Sequence, residues 1–309
     1  MSGWSGPSDA STSVAATRLP RRVRALPGRL VACADVTRAT LARARGAFRA
    51  RVRHTLRVLP TPARLVADAL LDEESLRRRH VVVALGGAHA AGFAAPGEAV
   101  ALRALHVAPT ASLLGLRAPA LAIERTEVRA SVHLHYASNE IGPAVVGLVL
   151  GNGAYAERVL AAKLRGSPEL ETLAPIALRA LSRRYHRHYR GAALSHLRAF
   201  DHAPTPGRAL RVLGAALTGA HLLAAHAVVV DLDRLLDAHG FGGARALVAT
   251  VRAGDEAPLA GTARDHWRAE LQRATTLLDA AERASTLPAL TANEAELDAW
   301  LVALRRAML

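Results

Sequence analysis

Apolar and polar positions change period along this chain, and the changes divide it. The run VVVAL at 81–85 is continuously apolar and flanked by polar residues and glycines, which predicts a short strand buried on both faces. Residues 100–107, VALRALHV, predict a second strand, and between them lies a small-residue loop punctuated by Gly87, Gly92 and Pro96. Residues 63–71 read as a helix leading into the first strand, 112–116 as a helical turn and 120–124 as a third strand. Residues 128–137 alternate: Val128, Ala130, Val132, Leu134 and Tyr136 on one side, Arg129, Ser131, His133 and His135 on the other. That predicts one half-buried strand. Pro143 suits the first position of a helix through 150.

From residue 170 onward the period becomes helical. Segments 176–200, 208–227, 231–239, 245–253, 262–284 and 294–308 carry apolar residues at helical spacing, with breaks at Pro204, Pro206, Gly240, Gly242, Pro258 and Pro288. The expected architecture is α/β: a small mixed sheet with flanking helices over 59–165, then an all-helical domain over 166–309. Residues 1–58 form an extension outside both.

Composition sharpens this. At 309 residues and 51% hydrophobic content the chain can bury real cores. No uncharged apolar run reaches membrane-spanning length, so no membrane partner is expected. Cys33 is the only cysteine, which excludes an intramolecular disulfide and fits a reducing, cytoplasmic setting. The net charge of +14 is lopsided: the first 60 residues hold 12 Arg against Asp9 and Asp35, a balance of +10, leaving +4 for the rest. Lys163 is the only lysine, so 39 of the 40 basic residues are arginine, a skew that fits GC-rich coding.

The basic character therefore belongs to the start of the chain. Residues 1–17 are expected to be disordered, and 40–56 to form a helix with an arginine-covered face. A solvated appendage, or a wrongly chosen start codon, is the preferred reading of this extension. A transit peptide and a nucleic-acid or anionic docking arm are the alternatives.

The loop and second strand carry more than a fold. Gly87, His89, Ala90, Gly92, Ala94, Pro96, Leu102, Arg103, Val107 and Pro109 fall in register with the pattern Gly-Ser-x-Ala-Tyr-Gly-x-Ala-x-Pro, Asp-x-Asp, Leu-Arg-Gly. In this the chain resembles the bacterial stand-alone nucleotidyltransferases of the DNA polymerase beta superfamily. Gly151-Asn152-Gly153-Ala154-Tyr155-Ala156-Glu157 is similar to the family's Gly-Asn-Gly-Asn-Tyr-Leu-Glu signature, and 183–191, 217–222 and 285–288 match helical-domain strings. The resemblance covers roughly residues 78 to 308 and implies a nucleotidyltransferase-type sheet domain facing a helical domain across a cleft.

The catalytic positions depart from it. The serine position is Ala88, the tyrosine Ala91, the two metal-binding aspartates Ala99 and Ala101, and the third carboxylate His135, or His133 in the other register. Gly214 and Thr250-Val251 replace basic residues of the helical domain. The family's carboxylates hold divalent metals that neutralise a triphosphate and activate the attacking hydroxyl. Alanine cannot ligate Mg²⁺, and imidazole is a poor hard-cation ligand.

The resemblance therefore implies a catalytically inactive member, without metal or cofactor, acting as a nucleotide-binding or regulatory scaffold. Gly87, His89, Gly92, Arg103 and Arg129 are the candidate nucleotide contacts, the two arginines supplying positive charge without a metal. One alternative is an active Mg²⁺-dependent enzyme with carboxylates relocated to Glu98, Glu124, Glu127 or Glu140. Another is a nucleic-acid-binding protein using the arginine-rich start. A protein partner fits the scaffold reading.

Three lesser patterns complete the inventory. His133 and His135, with His89 across the loop, could ligate a transition metal, though filling vacated space is the preferred reading. His186 and His188 with Arg183, Arg184, Arg187 and Arg190 form a basic helical cluster, read as a solvated face rather than a phosphate contact. Asp201-His202 has no third partner in view. A gene in decay is argued against by the intact periodicity, because drift would scatter charges into these faces.

Overall fold

The computed structural model describes residues 59–117 and 119–309, all within one compact unit. The expected features of 1–17 and 40–56 lie outside the described residues.

The first helix, α1 (Thr61–Arg77), starts behind Pro60 with Pro62 in its first turn, where the missing N–H costs no bond. It buries Ala67, Leu70, Leu71 and Glu74, one face at helical spacing. Five strands follow: β1 (Arg79–Gly86), β2 (Val100–Val107), β3 (Ala122–Arg129), β4 (Val132–Glu140) and β5 (Lys163–Gly166). They form one sheet in the order β3-β4-β2-β1-β5, with β2 and β4 parallel and the other pairs antiparallel. This is the mixed α/β arrangement expected. β5 was not anticipated; four residues are too few to display a period.

Two short helices punctuate the sheet, α2 (Gly87–Ala91) and α3 (Thr110–Leu113). The segment read as a loop thus opens with one helical turn, and the turn read at 112–116 starts two residues earlier. After β4 come α4 (Ile141–Val149), α5 (Gly153–Leu160), α6 (Pro168–Arg179), α7 (Tyr185–His202), α8 (Pro206–Ala225), α9 (Leu232–His239), α10 (Arg245–Arg252), α11 (Gly261–Ala284) and α12 (Glu294–Arg306). The single helix expected over 176–200 is two, parted at 180–184, where the Arg183 amide donates to the Pro288 carbonyl (2.8 Å). None of the described helices is long and apolar enough to cross a membrane.

The strand read at 128–137 needs the largest correction. Ala130 and Ser131 both take positive φ, 45° and 63°, and turn the chain in a two-residue hairpin between β3 and β4. Two central residues with φ > 0 are the type I′ pattern, which usually recruits Asn-Gly. Without those residues the turn left no signal. The consequence is a change of face: Val128 pairs with His133 and Arg129 with Val132, so Arg129 lies on the Leu134 and Tyr136 face, opposite His135.

The two sheet faces bury different cores. Val83, Leu85, Val100, Leu102, Leu134 and Tyr136 pack under α1. On the other face Val82, Leu105 and Val107 join a larger cluster with α4 to α8, α11 and α12. The sheet and the helical half therefore share an apolar core. A third cluster lies within the helical half and takes in Ala88 and Phe93 from the loop after β1. Helices α7 and α8 approach closely at Gly219, where a Cβ would stand 2.5 Å from that of Tyr189.

At the far end of the sheet, Glu140 ends β4 and caps α4. It is 1% exposed, accepts from the Gly142 amide at 2.7 Å, and pairs with Arg305 of α12 at 2.7 Å. Arg305 also donates to the Ala108 carbonyl (3.3 Å), while Thr110 bonds the Arg305 carbonyl (2.7 Å). With this cap in place the helix begins at Ile141, and Pro143 falls third rather than first. Its lack of an N–H still costs nothing there.

Two stability predictions follow. Replacing Ala130-Ser131 by Asn-Gly suits the observed φ values and raises unfolding free energy by roughly 0.5–1 kcal/mol, read from the urea midpoint; an unchanged or lower midpoint would contradict the turn. Glu140→Gln strands the Arg305 guanidinium in a buried setting and lowers stability by roughly 3 kcal/mol, seen as a drop in Tm. A loss under 1 kcal/mol would mean the pair is solvated.

Candidate functional site

The open part of the sheet face beyond Leu105 is where the sequence-predicted positions meet. Pairing aligns Gly86, Ala101, His135 and Thr126 in one row across β1, β2, β4 and β3. The adjacent row runs Ala84, Arg103, Ala137, Glu124. Side chains alternate along a strand, so these residues share one face. Ala101 and His135 are direct neighbours on parallel strands, and Ala99 lies two residues before Ala101, exposed. The positions at which the resemblance puts carboxylates therefore converge, and none carries one.

The loop over this face is tied to distant helices. Gly87 opens α2 at φ 60°, and Gly92 closes it in the left-handed region at φ 83°. The Gly92 carbonyl accepts from Arg252 Nε at 2.7 Å, and Arg252 is held in turn by Asp233 at 2.9 Å. Phe93 is buried in the helical core. Glu98 accepts from the Ala95 amide (3.1 Å) and pairs with Arg211 of α8 (2.8 Å). His89 bonds the Ala99 backbone; burial holds its imidazole below the usual range, partly countered by Glu98.

Arg103 lies across the rows. Its guanidinium donates to the His135 carbonyl (3.1 Å) and meets His135 Nδ1 (3.3 Å). Gly86 makes room for it, since a Cβ there would sit 2.8 Å from Arg103 Cγ. Arg158 of α5, which sequence reasoning passed over, reaches the same face. It donates to the Ala104 carbonyl (3.3 Å) and to Asn139 Oδ1, with its guanidinium 5.2 Å from the Tyr155 ring centre. Its only sequence signal was a charge directly after the 151–157 signature. Neither arginine makes an ion pair among the described residues. Burial, first of all causes, pulls both guanidiniums below their ordinary values.

The remaining candidates lie elsewhere. Arg129 is on the opposite face, bonded to Glu73 at 2.7 and 2.8 Å and paired with Glu127 at 2.5 Å. Hydrogen bonding to Glu73 raises its pKa, and the same bond takes Glu73 down to about 2. The flipped hairpin parity put it there. Glu127 belongs to that network, Glu140 is buried with Arg305, and Glu98 is held by Arg211. Of the acids considered for relocation, only Glu124 faces the rows without an ion pair among the described residues.

No three His, Cys, Asp or Glu side chains among the described residues are grouped to hold a metal ion. His133 is exposed. His186 and Arg190 both engage Asp279 of α11, at 2.7 and 3.0 Å, and Arg183 stands 3.7 Å from Glu282, so that cluster braces two helices. His188 packs edge-on against Tyr189, with ring centres 5.2 Å apart. Asp201 is held by Arg268 at 2.7 and 3.1 Å.

No protein-family model and no curated protein matches this chain. Among solved structures it is similar to a nucleotidyltransferase-like protein from Exiguobacterium sibiricum, with 11% identity, 78% of each chain covered and a TM-score of 0.28.

Beside Arg158, the Glu157 carboxyl accepts from the Tyr189 hydroxyl (3.0 Å), and burial pushes it up to about 7. A raised folded-state value gives stability that is complete below pH 4.5 and is lost as pH rises through 7. Glu157→Gln keeps the acceptor and removes the charge. The variant is expected to match the parent near pH 4.5 and to exceed it at pH 8 by roughly 1–2 kcal/mol in denaturant unfolding. A variant weaker than the parent at pH 8 would mean that Arg158 stabilises the ionised carboxylate.

Proposed function

We propose that the chain is a nucleotidyltransferase-type protein that binds a nucleotide through its phosphates without transferring it, serving as a sensor or scaffold. The observation that carries this reading is Arg103: half-buried in the row beside Ala101 and His135, it makes no ion pair among the described residues, and the one carboxylate charge that favours it is that of exposed Glu124 in its own row. A guanidinium withdrawn from water with no ion-paired counter-ion is costly unless an anion completes it. Phosphate fits that fork by paired charge-assisted hydrogen bonds.

The active alternative finds less support. Glu98 and Glu140, the acids nearest the vacated positions in sequence, are both committed to arginines, and Glu140 is buried at the far end of β4. Glu124 alone supplies one ligand where two-metal chemistry needs several. The reading as a nucleic-acid-binding protein rests on residues 1–57, which lie outside the described residues.

Calorimetry with each nucleoside triphosphate in EDTA is expected to give binding that Arg103→Gln weakens by roughly tenfold or more, the loss of one charge-assisted bond. Incubation with labelled triphosphate and Mg²⁺ is expected to move no label to protein, nucleic acid or small acceptors. Mg²⁺-dependent transfer abolished by Glu124→Gln would overturn the proposal in favour of a relocated metal site.

A further inference from the structure

Arg103 and Arg158 anchor at consecutive places on β2: Arg103 is itself on the strand, and Arg158 is bonded to the carbonyl of Ala104. Both reach over to β4, one to His135 and the other to Asn139. Each guanidinium carries five N–H donors in a planar fork. Arg158 spends only Nη1, and Arg103 only Nη1 and Nη2, so Nε of both and Nη2 of Arg158 make no hydrogen bond among the described residues. The acceptors they do have are carbonyls, a side-chain amide and an imidazole. None of these acceptors is a carboxylate, and Glu124 and Glu157, whose charges favour Arg103 and Arg158 respectively, make no ion pair with them among the described residues.

Two half-buried cations of like sign stand on one open face, and the charge of Arg103 disfavours that of Arg158. A ligand that bridges them relieves both. A single orthophosphate satisfies one fork; linked phosphates present successive anionic groups to two. A magnesium ion already on those phosphates would neutralise charge and occupy the oxygens the arginines need. The face also offers no group of three ligand-type side chains to hold the metal.

We infer that Arg103 and Arg158 form a two-guanidinium clamp for linked phosphates, selecting ligands with two or more joined phosphoryl groups in their magnesium-free form. This rests on the reading that the cleft takes a phosphate-bearing ligand, and it makes Arg158 the discriminating residue. Such a site responds to the free fraction of its ligand, so its occupancy falls as magnesium rises.

The test is calorimetry on the full chain with orthophosphate, pyrophosphate and tripolyphosphate, in EDTA and in excess MgCl₂, with ATP in parallel. Pyrophosphate and tripolyphosphate are expected to bind about tenfold or more tighter than orthophosphate, and magnesium to weaken them by a similar factor. Arg158→Gln is expected to bring pyrophosphate to the orthophosphate level. The unsubstituted protein decides the matter even if that variant folds poorly, because the ratio among the three anions needs no substitution. Equal affinities, or binding that magnesium strengthens, overturn the clamp. So does binding that survives both Arg103→Gln and Arg158→Gln, which would place the anion elsewhere, as on the 12 arginines of the first 60 residues. ATP binding without preference among the three anions would overturn the clamp alone; no binding of ATP or any of them would sink the nucleotide reading as well.

Discussion

A carboxylate at the end of β4 joins most of the molecule. Glu140 finishes the strand, caps α4 through the Gly142 amide and receives Arg305 from the last helix. Around it the last turn of α12 is bonded to the connection after β2, through Arg305 to Ala108, Thr110 to Arg305 and the Thr110 amide to Met308. A buried ion pair contributes little net stability against an apolar replacement of equal shape, but removing one member is expensive. Its effect here is positional. The sheet, the helix packed on its inner face and the end of the chain must come together in one register for the charges to be met.

The two faces of the sheet deal with arginine in opposite ways. Under α1, Arg125 and Arg129 are interlocked with Glu73, Glu74 and Glu127, and charge is compensated within a few ångströms. On the other face Arg103 and Arg158 rest on carbonyls, an amide and an imidazole. Both faces hold half-buried guanidiniums, so arginine abundance cannot explain the contrast. The difference lies in the acids: α1 and β3 supply three ion-paired ones to one face, while the other has, among the described residues, only the exposed Glu124, with alanine and histidine where the resemblance implies carboxylates.

Much of the architecture was legible because it is written in local periods. The 81–85 run, the 100–107 strand and most of the helices after 200 needed only neighbours a few residues away. The hairpin at Ala130-Ser131 was not legible, since neither residue favours positive φ and alternation continues on both sides of the turn. One missed turn then moved one functional candidate, since reversal at two residues exchanges the faces of everything before it, and Arg129 went to Glu73. Arg103 was placed correctly because β2 has no such interruption. The commitment of Glu140 is not legible for a different reason: its partner Arg305 is 165 residues away, and nothing local announces a long-range charge pair. Arg158 was hidden in the same manner, its acceptors lying 19 and 54 residues earlier.

The fastening of Gly92 by Arg252 spans 160 residues. Contacts between remote parts of a chain carry the closure entropy of everything between them and form late. The loop over the rows of Arg103 and His135 therefore acquires its shape only after α10 exists and has packed. A chain emerging from the ribosome can complete β1, β2 and the Ala101–His135 pairing long before that, with that face of the sheet still lacking its roof. The shape of this loop is thus a late event in the biogenesis of the protein, reached only when the helical half has been made through α10.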